Sequence, residues 1–310
     1  MMINFVDKIA ELKGIERKEM IEKDILLHQV LSDLSKEAFF SANFLFKGGT
    51  CLIKNYIGYL RFSEDIDFTW KDQSMFAGKT GGQVNRDLSG IIEKTGKILA
   101  KITSKRGLDF KWDKEDREYV ELISRGRVCT FKVWYDSILK DRRLLKVQIN
   151  FVDSLCMKPR KGRLKSLVKG KNPKLEGLFK EYSAYASSVP FEVYDAKEIL
   201  SEKIRALMTR RAVKARDFVD IFFISKKLKI QPKDVEKCVI SKINYALEHY
   251  ERFRRNFDEK KQFLEKGNIF DWGTEKNLLI VKFNNKEFDR FVVDFTNYLQ
   301  KLVKKIDYSK

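Results

Sequence analysis

The chain has 310 residues, with 63 Lys and Arg against 44 Asp and Glu, a net charge of +19. Hydrophobic residues make up 43% of it, with 24 Phe and 11 Tyr, enough to fill one large domain or two packed ones. Its 16 Gly and 4 Pro exclude a collagenous, linker-dominated or Pro-rich disordered protein. No apolar run reaches the roughly 18 residues that a membrane helix needs. The first residues carry Asp7 and Glu11 inside their apolar stretch, unlike a secretory signal, so a cytoplasmic protein with no membrane partner is expected.

Leu26, Leu27, Val30, Leu31 and Leu34 recur at three- and four-residue spacing, and the first 43 residues read as helical. A short apolar segment over 43–47, a Gly-Gly turn and a helix over 50–59 follow, and 61–70 alternates like a strand. A long helix is expected over 84–106, then strands over 108–112, 119–123, 127–135 and 144–151. Residues 158–174 hold eight Lys and Arg and no acid, which reads as a basic loop separating two domains. After a short extended segment at 192–194 the chain becomes mainly helical. Asp195 with Glu198 resembles a capping box opening a helix to Arg210, and further helices are expected over 212–227, 232–250 and 285–304. The fold class expected is α/β (α+β): an N-terminal half with a mixed sheet, residues 1–180, and a helical half, residues 181–310.

The four cysteines, at 51, 129, 156 and 238, form no CxxC pair, so free thiols are expected and a zinc ribbon is excluded. His28 and His249 lie in helical patterns and read as packing or surface residues. Two histidines cannot build a histidine-rich metal site, so any metal falls to carboxylates, which suit Mg²⁺ or Mn²⁺. The +19 charge attracts polyanions, nucleic acid above all. Lys158, Arg160, Lys161, Arg163, Lys165, Lys169, Lys171 and Lys174 form the candidate RNA-contacting arm, whose affinity would fall with salt; the plainer alternative is a solvated loop.

The most informative stretch is KGGTCLIKNYIGYLRFSEDIDFTW, residues 47–70. Gly48–Gly49 is a turn that lets backbone approach a ligand, and Thr50 opens a helix whose free N–H groups suit a phosphate. On a strand, Ser63, Asp65 and Asp67 share one face while Phe62, Ile66 and Phe68 share the other. Two carboxylates about 7 Å apart on one strand face repel unless a cation joins them. A divalent ion there, holding a triphosphate, is the arrangement of phosphoryl and nucleotidyl transfer. Asp-x-Asp alone reads better as a surface strand with two solvated aspartates; the Gly-Gly turn, helix and strand together carry the reading.

These residues resemble the AbiEii/AbiGii toxin family, within the polymerase-β-like nucleotidyltransferases, in the pattern GGT…RxSxDIDF, with Arg61 and Ser63 matching the narrower form. A second block, DAKEILSEKIRALMTRRAVKARDFVDIFFI at 195–224, is similar to the family's helical motif: Lys203, Arg210, then Arg216, Asp217 and Asp220. The likeness covers 44–70 and 192–225 well. It implies a polymerase-β-like domain followed by helices. It also implies Mg²⁺ (or Mn²⁺) on Asp65 and Asp67, NTP as substrate held by Lys47, Gly48, Gly49, Thr50, Arg61, Ser63 and Arg210, and Lys203, Asp217 and Asp220 as further catalytic residues. The implied activity moves NMP onto an RNA 3′ end, the tRNA acceptor first, in a toxin with a cognate antitoxin and a role in phage defence. A protein or small-molecule hydroxyl as acceptor, or an inactive RNA-binding relative, are the alternatives. One departure stands out. The superfamily's third carboxylate should lie on 144–153, where Gln148 and Asn150 stand, and Asp153 falls on the opposite face of a continued strand. Asp217, Asp220 or a metal-bound hydroxyl are the alternatives for the base.

Overall fold

The computed structural model describes every residue except Met1, Lys169, Lys171, Asn268, Phe283 and the last four, 307–310. The chain forms two compact units, Met1–Asp153 with Pro159–Tyr194, and Ser154–Lys158 with Asp195–Lys310. The first unit runs to Tyr194 because the strand Val189–Val193, which pairs into its sheet, lies beyond the basic stretch.

The first unit opens with α1 (Met2–Lys13), α2 (Lys18–Leu34) and α3 (Ala38–Asn43) and enters the sheet through β1 (Phe44–Lys47). Then come α4 (Gly48–Cys51), continued by a π-helical turn over Leu52–Ile57, β2 (Asp65–Trp70) and α5 (Gly81–Lys105). β3 (Val120–Ile123), β4 (Val128–Asp136), β5 (Arg142–Asn150), β6 (Arg160–Leu164), α6 (Pro173–Leu178), α7 (Lys180–Ala186) and β7 (Val189–Val193) complete it. The seven strands form one mixed sheet in the order β3-β4-β5-β2-β1-β7-β6. β1 runs parallel to β7 and β2 parallel to β5, while the remaining neighbours are antiparallel.

Three expectations are corrected. Residues 108–112 are not a strand; a single bridge joins Asp109 to Trp134. The strand expected over 61–70 begins only at Asp65, so Ser63 precedes it. The basic loop is not a loop throughout, since Arg160–Leu164 is the edge strand β6 and Lys174 lies in α6. β6 hides from sequence reading because its inward positions are Gly162 and Leu164, and Gly162 shows no apolar side chain to alternate. A Cβ there would lie 2.7 Å from Val193 Cγ1, so glycine is what lets the two strands close.

Alternation along β1 and β2 sends Phe44, Phe46, Ile66 and Phe68 into the core, all fully buried. Phe40 stacks on Phe44 at 4.3 Å and meets Phe68 edge-on at 4.7 Å, while Phe46 lies 5.2 Å from Phe68. This aromatic layer is a stiff floor beneath the opposite, polar face of the same strands.

A second buried feature is polar. Asp24 on α2 accepts from Tyr59 at 2.9 Å and from Tyr185 at 2.5 Å, and pairs with Lys54 Nζ at 2.7 Å. Beside it His28, buried as expected of a packing residue, donates Nε2–H to the Ser187 carbonyl at 2.9 Å, and its Nδ1 is buried without a partner. Burial, helped by the Lys54 charge, pushes this imidazole from 6.5 to about 4. The unfolded chain therefore takes up a proton, as pH falls below 6.5, that the folded chain refuses. Stability from His28 is complete above pH 6.5 and drains away toward pH 4, by roughly 3 kcal/mol in all. Urea unfolding at pH 7.5 and 4.5 should register that drop, and His28→Gln should flatten it.

The second unit is helical: α8 (Ala196–Thr209), α9 (Ala215–Phe223) extended by a π-helical turn, α10 (Glu236–His249), α11 (Glu251–Glu265) and α12 (Asn285–Val303). Asp195 caps α8 by accepting from Lys197 N–H at 2.8 Å, but no capping box forms. Glu198 is instead buried, accepting from the N–H groups of Cys156 and Met157 at 3.0 and 2.8 Å and pairing with Lys242 at 2.7 Å. Asn284, not Asn285, caps α12. The free-thiol expectation fails for one pair: Cys156 and Cys238, with Cα atoms 5.9 Å apart, form a disulfide, while Cys51 and Cys129 stay free and buried. A separation of 82 residues gave no local sign of that pairing.

Candidate active site

The chain leaves β1 at Lys47 and reverses at Gly48, whose φ of +77° lies in the left-handed region. A Cβ on Gly48 would lie 2.3 Å from Asp67 Oδ2, and one on Gly49 would lie 2.7 Å from the Arg61 guanidinium. Glycine is required at Gly48 by its backbone conformation and by the closeness of Asp67, whereas at Gly49 the Arg61 side chain would have to give way. The Thr50 hydroxyl is buried and hydrogen-bonds Ser63 Oγ at 2.8 Å and the Asp65 carbonyl. Arg61 is also buried, donating to the Phe62 carbonyl at 2.7 Å. Thr50, Arg61 and Ser63, read from sequence as nucleotide contacts, thus tie the Gly-Gly turn to the entry of β2.

β1 and β2 pair antiparallel with Lys47 opposite Asp67. β2 and β5 pair in parallel, setting Asp65 beside Lys146, Asp67 beside Gln148 and Thr69 beside Asn150. With Ile66 and Phe68 turned into the core, Asp65, Asp67 and Thr69 share the other face with Gln148 and Asn150. The two aspartates are half-buried on that face. The donor set fits a hard divalent cation: carboxylate oxygens at successive same-face positions of one strand, with the missing Cβ of Gly48 making room for the Asp67 carboxylate.

Gln148 stands where a third carboxylate was sought, but Asp153 reaches the site after all. β5 ends at Asn150 and the chain bends, so strand alternation no longer applies to Asp153. Its Oδ2 pairs with Lys47 Nζ at 2.9 Å and accepts from Tyr194 at 2.9 Å, Asn150 at 3.2 Å and Thr69 at 3.3 Å. Its N–H donates to Gln73 Oε1 at 2.8 Å. Lys47, read as a nucleotide contact, is thereby engaged by a carboxylate of its own unit.

In the helical unit, α8 and α9 bring four sequence-predicted residues together. Lys203 Nζ lies 2.9 Å from Asp217 Oδ1 and 2.5 Å from Asp220 Oδ2, and Arg210 reaches Asp217 Oδ2 at 3.2 Å. Lys203, Asp217 and Asp220 are all buried. Burial works to raise the Asp217 carboxyl, but Lys203 and Arg210 outweigh it and hold it at about 2. A carboxyl so acidic is a weak proton acceptor at neutral pH, which disfavours Asp217 as the general base. Lys242, buried between Glu198 and Glu202 at 2.7 and 2.8 Å, was missed by sequence reading, where it resembled any helical lysine.

Of the basic arm, Lys158, Arg160, Lys161, Arg163, Lys165 and Lys174 are exposed, whereas Lys169 and Lys171 lie outside the described residues. Charged side chains on an edge strand also guard it against pairing with other chains. A cavity of about 460 Å³ against α5, lined by Glu37, Glu93, Lys94, Lys97 and Lys101 among others, includes none of the predicted site residues. Glu198 lies within 4.8 Å of the Cys156 and Cys238 sulfurs, but bonded sulfurs offer no thiolate for a metal.

A family model described as the nucleotidyl transferase AbiEii toxin of type IV toxin–antitoxin systems matches residues 29–304. Among solved structures the chain is similar to MenT4, a nucleotidyltransferase toxin from Mycobacterium tuberculosis H37Rv, at 15% identity and a TM-score of 0.48, over 98% of this chain and 99% of that one. No curated protein matches the chain in sequence.

Proposed function

The chain belongs to the AbiEii family of nucleotidyltransferase toxins of type IV toxin–antitoxin systems, and from that premise we propose that it transfers NMP from an NTP to an RNA 3′ end, the tRNA acceptor first. Membership implies a cognate antitoxin. Phage defence and action in the cytoplasm complete the reading; among the described residues no helix is long and apolar enough to cross a membrane.

The observation that carries the reading is the same-face pair Asp65 and Asp67 beside a turn whose first residue, Gly48, has a left-handed backbone. Mg²⁺ or Mn²⁺ held by that pair would supply Lewis-acid polarisation of the reacting phosphate and a more acidic attacking hydroxyl. The backbone at Gly48 and Gly49 takes the triphosphate, with the Thr50–Ser63 hydrogen bond holding the turn to β2. Within the helical unit, Asp217 and Asp220 hold Lys203 in its rotamer, and Lys203 with Arg210 forms a cationic pair of the kind that binds phosphate. The exposed cations from Lys158 to Lys174 track the RNA backbone.

The test is incubation with tRNA, or with a protein extract, and each α-labelled NTP, with and without EDTA. Label should appear at the tRNA 3′ end from at least one NTP and vanish with EDTA. Label confined to protein, or transfer indifferent to EDTA, would overturn the reading. In the same system Arg160→Glu/Lys161→Glu/Arg163→Glu should weaken RNA binding and flatten the slope of log K against log salt by about 2.

A further inference from the structure

We propose that Asp153 is a positioning residue that holds the Lys47 ammonium away from the Asp65–Asp67 pair, so that the pair takes a divalent cation and not a lysine of its own chain. The inference rests on the reading of Asp65 and Asp67 as a cation site.

Lys47 stands directly opposite Asp67 across β1 and β2. Directly opposed residues of an antiparallel pair hold their Cβ atoms about 5 Å apart, well within reach of a lysine side chain. Asp67 leans toward that end of β1, since its Oδ2 is the atom a Cβ on Gly48 would strike. An ammonium in this place faces the Asp67 carboxylate across the two strands. Its Nζ instead lies 2.9 Å from Asp153 Oδ2 and 5.4 Å from the centre of the Tyr194 ring. The lysine and aspartate side chains are only 12% and 10% exposed, so the pair is held in place and not exchanging freely with water.

The same Oδ2 accepts from Tyr194, Asn150 and Thr69, so the carboxylate is fixed by groups from β2, the end of β5 and the exit of β7. Such a lock has a purpose only if the ammonium has somewhere else to go. Removing the charge of Asp153 leaves Lys47 part-buried without its counter-ion, and the carboxylate facing it in register is Asp67. The ammonium then competes with the metal for one of its two ligands.

Mn²⁺ binding followed by its EPR signal measures this without any turnover. Wild type should bind one Mn²⁺. Asp153→Asn should weaken that binding by about ten- to a hundredfold, the range expected when a partner behind a metal site is lost. Adding Lys47→Met to Asp153→Asn should restore the wild-type affinity, because the competitor is gone. An unchanged Kd in folded Asp153→Asn overturns the proposal. So does a double variant that stays weak, which would make Asp153 a metal ligand in its own right. Should Asp153→Asn fail to fold, Tyr194→Phe loosens the lock while keeping the carboxylate. It must weaken Mn²⁺ binding in the same direction, and an unaltered Kd there also overturns the proposal. Wild type that binds no Mn²⁺ at all would instead remove the reading of the Asp65–Asp67 site.

Discussion

Asp65→Ala is expected to lower nucleotidyl transfer by roughly three orders of magnitude, the scale on which an enzyme loses its principal electrostatic stabiliser. Fold stability should move very differently. Asp65 is half-buried at the start of β2, its alternate neighbours Ile66 and Phe68 are seated on the aromatic floor, and the Thr50 hydroxyl bonds its backbone carbonyl and not its side chain. Removing one of two like charges on one strand face relieves repulsion. Without divalent cation the variant should therefore melt at or slightly above the parent temperature, and only the parent should gain stability when Mn²⁺ is added. Transfer from labelled NTP and thermal melting with and without Mn²⁺ provide the two readouts. Retained transfer, or a variant that unfolds without metal, would mean the carboxylate has a structural task and the site lies elsewhere.

The second large effect concerns stability alone. Asp24→Asn should cost about 3–5 kcal/mol, the range for removing one partner of a buried ion pair. Asp24 and Lys54 are 3% and 2% exposed, and the Lys54 ammonium lies 2.7 Å from Asp24 and 2.5 Å from the Tyr59 oxygen. The amide keeps the shape of the carboxylate but leaves the ammonium uncompensated in a place where burial already lowers its pKa. Asp24→Leu/Lys54→Met removes both charges and should recover a substantial part of the loss, although the Tyr59 and Tyr185 hydroxyls lose their acceptor. Urea unfolding of the three proteins decides it. A single variant as stable as the parent would show that the ammonium finds water.

The legible part of the molecule is instructive for its kind. That Asp65 and Asp67 share a face was legible because a period of two on one strand puts both carboxylates on one side whatever the rest of the chain does. The Gly-Gly turn was legible for a similar reason, since closely approaching backbone demands glycine at the point of contact. Lys203, Arg210, Asp217 and Asp220 were singled out through a motif, and the fold gathers them into one cluster of ion pairs. Strand β6 was missed because glycine and exposed cations give no alternation, and α11 because its buried stripe is little more than Phe257, Lys260 and Leu264.

Local periodicity and motif spacing thus decide which residues share a face, which turns need glycine and where the charges stand, because these depend on neighbours a few positions away. Which groups meet across the fold depends on where strands end and how the chain bends, and periodicity carries no information about either. The bend after Asn150 returned Asp153 to the site face, packing enclosed Asp24 with Lys54, and an 82-residue separation closed into the Cys156–Cys238 bond. Each of those contacts joins distant stretches of chain, and only the packed structure brings such stretches together.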